Sequence, residues 1–312
     1  MPDAALAATE RQFAAVLKKA SGGRDVQLCL LELPGVQRGD VALSYMAGRY
    51  RSTATLFADP VDALIVTGAE PLAADLRDEP YWSSLTALID WAQTNTVSTL
   101  FSCLAAHAAV LHLDGIQRRP LLVKCSGVFA METATHPLTS MQAQPLLVPH
   151  SRCNDLPECD LVAKGYQILT RSTQTGVDAF IKDRGSLLVF LQGHPEYGAE
   201  ALMLEYRRDM RRFLNGQRDN PPAIPIGYFN VQTEQALHRL ATRHADRGSL
   251  DRLAGYAKIF RTATPKAPWV EATTQLYRNW LTLIDSRLEA GSIGPIDCRP
   301  NLNGAMQKFA TA

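Results

Sequence analysis

Residues 62–103 read DALIVTGAEPLAADLRDEPYWSSLTALIDWAQTNTVSTLFSC, and this stretch decides the fold. DALIVTGA (62–69) and VSTLFSC (97–103) are short apolar runs bounded by turn residues, the pattern of buried strands. Between them, YWSSLTALIDWAQT (81–94) repeats apolar residues at helical spacing, with Tyr81, Leu85, Leu88 and Ala92 on one side. Strand, helix and strand with short joints predict a βαβ unit and a parallel sheet.

The same pattern extends in both directions. Upstream, VQLCLLEL (26–33) is a third apolar run, closed by Pro34-Gly35. Residues 4–20 are spaced as a helix that stops at Ser21-Gly22-Gly23. Downstream, LAAHAAVLHL (104–113) reads as helix, and GVFAM (127–131), PLLVPHS (145–151), AFIKD (179–183) and SLLVFLQGH (186–194) read as strands. GAEALMLEYRRDMRRFL (198–214) is an amphipathic helix. NGQRDNPPAIP (215–225) is a polar, proline-rich break, followed by helical segments at 231–260 and 269–290 and a Gly/Pro-containing tail. The expected architecture is an N-terminal helix (1–23), an α/β core (24–214) and a C-terminal helical extension packed on it (215–312). The core would be a mainly parallel sheet flanked by helices.

Composition narrows the function classes. The chain has 312 residues, 46% hydrophobic and 20% charged, enough to bury a sizeable core. Its 32 Lys and Arg against 31 Asp and Glu leave a formal charge of +1, which argues against a general nucleic-acid binder. No apolar run approaches the roughly 20 residues of a membrane span. The N-terminus lacks the basic start and apolar block of a secretory signal. Six cysteines without a CxxC pair predict free thiols and a cytoplasmic setting. His112, His136 and His150 have no metal-ligand spacing with any cysteine, so no metal is expected. Neither GxGxxG nor a GxxxxGK[ST] loop is present.

Chemistry concentrates at two strand ends. Cys103 closes VSTLFSC just before a helix, where free N–H groups and the helix dipole favour a thiolate. Ala105 and Ala106 allow a tight turn there. Taken alone, Cys103 reads as readily as a buried core thiol. GHPEY (193–197) ends the strand SLLVFLQGH, and Glu196 can orient His194 through one ring nitrogen while the other faces a thiol. Reactive groups gather at the carboxyl ends of parallel strands, so Cys103, His194 and Glu196 are candidate nucleophile, base and orienter.

With those residues in view, the chain resembles the homoserine O-acyltransferases, the succinyl- and acetyltransferases built on the class I glutamine-amidotransferase-like fold. The matching words are ALIVTGA (63–69), YW (81–82), STLFSC (98–103), K-x-S-G-V-F (124–129), PHSR (149–152), GHPEY (193–197), EYRRD (205–209) and NWL (279–281). The resemblance implies that Cys103 accepts the acyl group, with His194 as base and Glu196 as its carboxylate. It implies that Lys124, Ser151 and Arg208 hold the amino-acid substrate. Arg208 offers a planar fork suited to an α-carboxylate. Without the resemblance, Lys124 and Arg208 read as solvated charges and Ser151 as a turn residue. The cluster Arg207, Arg208, Arg211 and Arg212 reads as a mostly solvated, ion-paired face with Glu205 and Asp209, a face that could also hold phosphates of coenzyme A.

Several positions depart from the family pattern. Leu104, Ala105, Ala106 and His107 stand where the family has Trp-Gly-Ala-Gln, and His107 is expected to pack or point away. Leu33-Pro34-Gly35-Val36-Gln37 lacks the lysines of the family's N-terminal segment. The loop Gly68-Ala69-Glu70-Pro71-Leu72 should give the oxyanion hole its second backbone donor beside Leu104. Pro71 has no N–H, and a missing donor costs about 2.7–4 kcal/mol of transition-state stabilisation. Counted without gaps from Cys103, Leu72 occupies the position that sets acyl preference in the family, where Gly accompanies succinyl and Glu accompanies acetyl. A slipped loop would bring Glu70 there instead.

The expected activity is transfer of an acetyl or succinyl group from an acyl-CoA to homoserine through a thioester on Cys103. Coenzyme A would be a substrate, with no resident cofactor, and the resemblance implies a homodimer. Three alternatives stay open: serine or another hydroxy amino acid as acceptor, glutamine amide hydrolysis, and a non-catalytic binding protein on the same fold.

Overall fold

The computed structural model describes residues 2–140, 145–243, 250–291 and 306–311. Helix α1 (Leu6–Ala20) precedes β1 (Asp25–Glu32), α2 (Asp40–Met46) and the short β2 (Tyr50–Ser52). The decisive stretch forms β3 (Ala63–Thr67), α3 (Trp82–Asn95) and β4 (Ser98–Ser102), with α4 (Leu104–Asp114) directly after. Then come β5 (Arg119–Thr133), β6 (Leu146–Asp155), α5 (Glu158–Ala163), β7 (Gln167–Ile168), β8 (Thr170–Ser172), β9 (Gly176–Val177) and β10 (Ala179–Arg184). Strand β11 (Ser186–Leu191) leads into α6 (Ala201–Leu214), α7 (Val231–Arg243), α8 (Leu250–Thr262), α9 (Val270–Glu289) and β12 (Met306–Thr311).

The central sheet has eight strands in the order β2-β1-β12-β3-β4-β11-β10-β7. It is parallel from β2 through β11, and β10 and β7 close one edge antiparallel. Side chains alternate across it with the period of two that a strand imposes. On β3, Leu64 and Val66 join Leu85, Ile89, Ala105 and Ala109 of α3 and α4 in one buried cluster. Ala63 and Ile65 face Phe13, Leu17, Tyr277, Trp280 and Leu281 of α1 and α9 in another. Helices therefore cover both faces, as a sheet of continuous apolar strands requires. A third cluster joins α6 to α7 and α8 through Tyr206, Phe213, Leu237, Tyr256, Phe260 and the fully buried Trp269. No helix of the described residues is long and apolar enough to cross a membrane.

Three features differ from the expectations. Strands β5 and β6 belong to a separate antiparallel sheet, ordered β6-β5-β8-β9, rather than to the parallel core. The segment at 231–260 is two helices, α7 and α8. The tail supplies β12, which pairs in parallel with β1 on one side and β3 on the other. The C-terminal part of the chain is thus more than a helical extension: its last strand sits inside the core sheet.

Candidate active site

The site begins at the end of β4. Cys103 has φ +53° and ψ −113°, and among the described residues it is the one non-glycine with positive φ. Such a backbone costs of order 1–3 kcal/mol and persists only where surrounding bonds impose it. Here the Cys103 N–H donates to the Leu191 carbonyl of β11 at 2.7 Å, and its own carbonyl accepts from Ala106 at 3.0 Å. The turn passes straight from strand to helix and leaves the side chain half-buried at the N-terminus of α4. Gly68, just past β3, makes room for it: a Cβ there would stand 2.4 Å from Leu104 Cβ and 3.0 Å from Leu104 N.

His194 follows β11, the strand beside β4. Its N–H donates to the Pro149 carbonyl of β6 at 2.8 Å, and its ring stacks on Tyr197 with centroids 4.2 Å apart. Nδ1 lies 2.8 Å from Glu196 Oε1, which leaves Nε2 to address the Cys103 sulfur. Burial disfavours the imidazolium, yet the neighbouring Cys103 and Glu196 hold His194 well above the ordinary histidine value. The structure therefore brings the three residues together at the ends of neighbouring strands.

A buried layer supports this arrangement. Gly193 donates to Asp178 Oδ1 at 2.9 Å, and a Cβ on Gly193 would stand 2.9 Å from His150 Nε2. Burial pushes the Asp178 carboxyl up and holds His150 well below the ordinary histidine value. His107, as expected, packs into the interior. It is buried, lies 2.9 Å through Nε2 from Gln192 Oε1, and burial lowers its pKa to about 3.

Lys124, Ser151 and Arg208 converge on two carboxylates of α6. Lys124 Nζ lies 2.8 Å from Asp209 Oδ2 and 3.5 Å from Glu205 Oε2. Ser151 donates to Glu205 Oε2, and the Tyr197 hydroxyl donates to Glu205 Oε1 at 2.5 Å. Arg208 grips Asp209 Oδ1 with Nε at 3.0 Å and Nη2 at 2.9 Å. Burial raises the pKa of both carboxyls, but the charge of Lys124 and the hydrogen bonds around them hold the net below the usual carboxylate range. Sequence reading missed Glu205, Asp209 and Tyr197. The available signal is the 205/208/209 spacing, which puts these groups on one helix face that by itself reads as solvated.

The loop after β3 corrects one set of expectations. Leu72 is 79% exposed, and its N–H donates to Glu79 Oε1 at 2.6 Å. The Ala73 N–H donates to the same oxygen at 2.6 Å. In this conformation Leu72 neither lines an acyl pocket nor offers its N–H to an oxyanion, and Pro71 has none to offer. Glu70 is paired with Arg212 of α6, at 2.9 Å and 3.1 Å.

The chain as a whole is similar to known proteins. The sequence profile of homoserine O-succinyltransferase matches residues 1–287. The chain is 47% identical over 289 residues to a homoserine O-succinyltransferase of Methylorubrum extorquens, covering 92% of this chain and 86% of that protein. It is 48% identical over 291 residues to that of Rhodopseudomonas palustris, with the same coverage. Among solved structures, a glutamine amidotransferase from Thermotoga maritima aligns with TM-score 0.45 and 12% identity, over 84% of this chain and 99% of that one.

Proposed function

The chain belongs to the homoserine O-succinyltransferase family, an O-acyltransferase family acting on homoserine, and from that premise we propose a succinyl-CoA-dependent, two-step transfer through Cys103. In the first step the Cys103 sulfur attacks the thioester carbonyl. The tetrahedral intermediate collapses by breaking the bond to coenzyme A, whose sulfur takes the proton held on His194. The acyl group then rests on Cys103 as a thioester.

In the second step the homoserine hydroxyl attacks that thioester while His194 Nε2 takes its proton, and Cys103 departs as thiolate. Glu196 accepts from Nδ1 throughout and stabilises the imidazolium whenever Nε2 carries its proton. The Leu104 N–H, at the start of α4, is the first oxyanion donor. With Leu72 engaged by Glu79, Ala69 and Glu70 are the loop residues left to supply the second. Lys124, Ser151 and Arg208, arrayed on Glu205 and Asp209, form a polar wall for the zwitterionic head of homoserine. Its ammonium suits the two carboxylates, and its carboxylate suits Arg208.

The observation that carries this reading is the positive-φ Cys103 turn at the end of β4 beside a His194 whose Nδ1 is held 2.8 Å from Glu196 Oε1. The test is intact mass measurement after exposure to succinyl-CoA. One succinyl group should appear on Cys103 and be discharged by homoserine, and Cys103→Ala should show neither adduct nor transfer. Transfer that survives in Cys103→Ala would overturn the route.

A further inference from the structure

Consecutive residues at the end of β11 hold both ends of the first turn of α4. The Leu191 carbonyl accepts from the Cys103 N–H at 2.7 Å, where the helix begins. The Gln192 side chain meets the His107 ring, one turn further along, with Oε1 2.9 Å from Nε2. Between these points the turn is closed on itself, since the His107 N–H donates to the Cys103 carbonyl at 3.3 Å. Gln192 stands just before Gly193 and His194, so the segment that carries the base also grips the turn that carries the nucleophile.

Gln192 is built as a fixed point. It is fully buried, and its amide has every donor and acceptor position engaged. Nε2 donates to the Val177 carbonyl at 2.7 Å and to Asp155 Oδ1 at 3.3 Å. Oε1 accepts from the Leu156 N–H at 3.2 Å, and His107 of α4 supplies the remaining bond. An amide fastened to Val177, Asp155 and Leu156 cannot swivel, so α4 takes its position from it. Held at Cys103 alone, the first turn of α4 could pivot; held at His107 as well, it cannot. The positive-φ backbone of Cys103 needs such over-determined surroundings. His107 is buried too, so water cannot take over the bond.

We propose that His107 and Gln192 are a positioning pair for the reaction, which sets the Cys103 sulfur against His194 by locking the first turn of α4 to the end of β11. Both act through other residues, His107 through the turn that begins at Cys103 and Gln192 through the turn that bears His194. The proposal rests on the acyltransfer reading above for the roles of Cys103 and His194, and adds what fixes their separation.

The test measures kcat, the KM values for succinyl-CoA and homoserine, and the rate at which iodoacetamide alkylates Cys103. His107→Leu and Gln192→Met should each lower kcat on the order of tenfold, as a turn displaced by a fraction of an ångström would, with each KM held within about twofold. Alkylation of Cys103 should slow in step, because a sulfur drawn away from His194 loses thiolate character. The double variant should lose little more than either single one, since both remove the same contact. His107→Gln keeps an amide donor for Gln192 and should recover most of the loss, whereas the shorter His107→Asn should not. A pair that only stabilises the fold would lower the unfolding midpoint and leave kcat and alkylation of the folded protein at wild-type values, and that result overturns the proposal. Should His107→Leu fail to fold, equal kcat in His107→Gln and His107→Asn overturns it instead. Alkylation needs neither acyl donor nor homoserine. A wild type that transfers no succinyl group therefore overturns the acyltransfer reading, while the alkylation rates of the variants still decide the role of the pair.

Discussion

Gly193 donates its backbone N–H to the buried Oδ1 of Asp178 at 2.9 Å, one residue before the His194 imidazole. The other oxygen of Asp178 accepts from the Thr170 hydroxyl at 2.9 Å, so this carboxyl joins β8 to the turn that carries the base. Asp178→Ala leaves both donors buried without an acceptor, at about 1–3 kcal/mol each. Asp178→Asn keeps an oxygen for Gly193 and should lose markedly less. Urea unfolding of the two variants, alongside kcat, checks the order. Equal losses would show that the Gly193 bond contributes nothing.

Gly68 admits no side chain. The atoms a Cβ would strike include Leu104 N and Cα, which no rotamer change can move. Gly68→Ala must push the loop away from α4 or shift the first turn of α4 itself. A displacement near 1 Å costs on the order of a hundredfold in rate, whereas the overpacking penalty to stability is about 1–3 kcal/mol. Acyl transfer should therefore fall far more than the unfolding midpoint would suggest. Retained activity would remove the 68–70 loop from the oxyanion hole.

What the sequence disclosed followed from periodicity and strand-end position. Ala63–Thr67, Trp82–Asn95 and Ser98–Ser102 stood out because a continuous apolar run, a 3.6-residue pattern and another run occur in succession. Cys103 and GHPEY stood out because each ends such a run. Strand β5 was only partly legible: Leu122 and Val123 are exposed on it, so its side chains follow neither a buried nor an alternating pattern. Glu205 and Asp209 look solvated on α6 until β5 delivers Lys124, β6 delivers Ser151 and the GHPEY turn delivers Tyr197. Those partners lie 8 to 85 residues away along the chain. Leu72 was misplaced because a count back from Cys103 cannot register that the buried Glu79 carboxylate captures two successive N–H groups.

Strand β12 gives the strongest test of topology. MQKFAT mixes polar and apolar residues and carries no helical or continuous strand signal, yet its backbone fills the gap between β1 and β3. Without it, both neighbours lose a ladder and the sheet is cut in two. A chain stopped after Ala305 is expected to lose cooperative unfolding and to accumulate as aggregate through the two exposed edges. Circular-dichroism melts and size-exclusion profiles of the shortened and full chains measure this. A soluble, cooperatively folding short chain would mean that β12 is dispensable to the sheet.

His107 sets a pH dependence whose sign follows from its surroundings. Gln192 spends its amide nitrogen on the Val177 carbonyl at 2.7 Å, and its Oε1 accepts from the Leu156 N–H at 3.2 Å. That oxygen can only accept, so His107 carries its proton on Nε2, and its Nδ1 is buried without a partner. Burial holds the folded-state pKa at about 3, against about 6.5 when unfolded. Between those values the unfolded chain binds the additional proton, so stability is complete above the unfolded pKa and falls as pH drops through the window. The loss approaches about 1.4 kcal/mol per pH unit for this one group. His107→Gln retains an amide donor toward Gln192 and removes the titration. Unfolding free energies measured in urea from pH 6.5 to 4.5 should decline less steeply for His107→Gln than for the wild type, by up to that slope. Parallel curves would mean that His107 is already protonated in the folded protein.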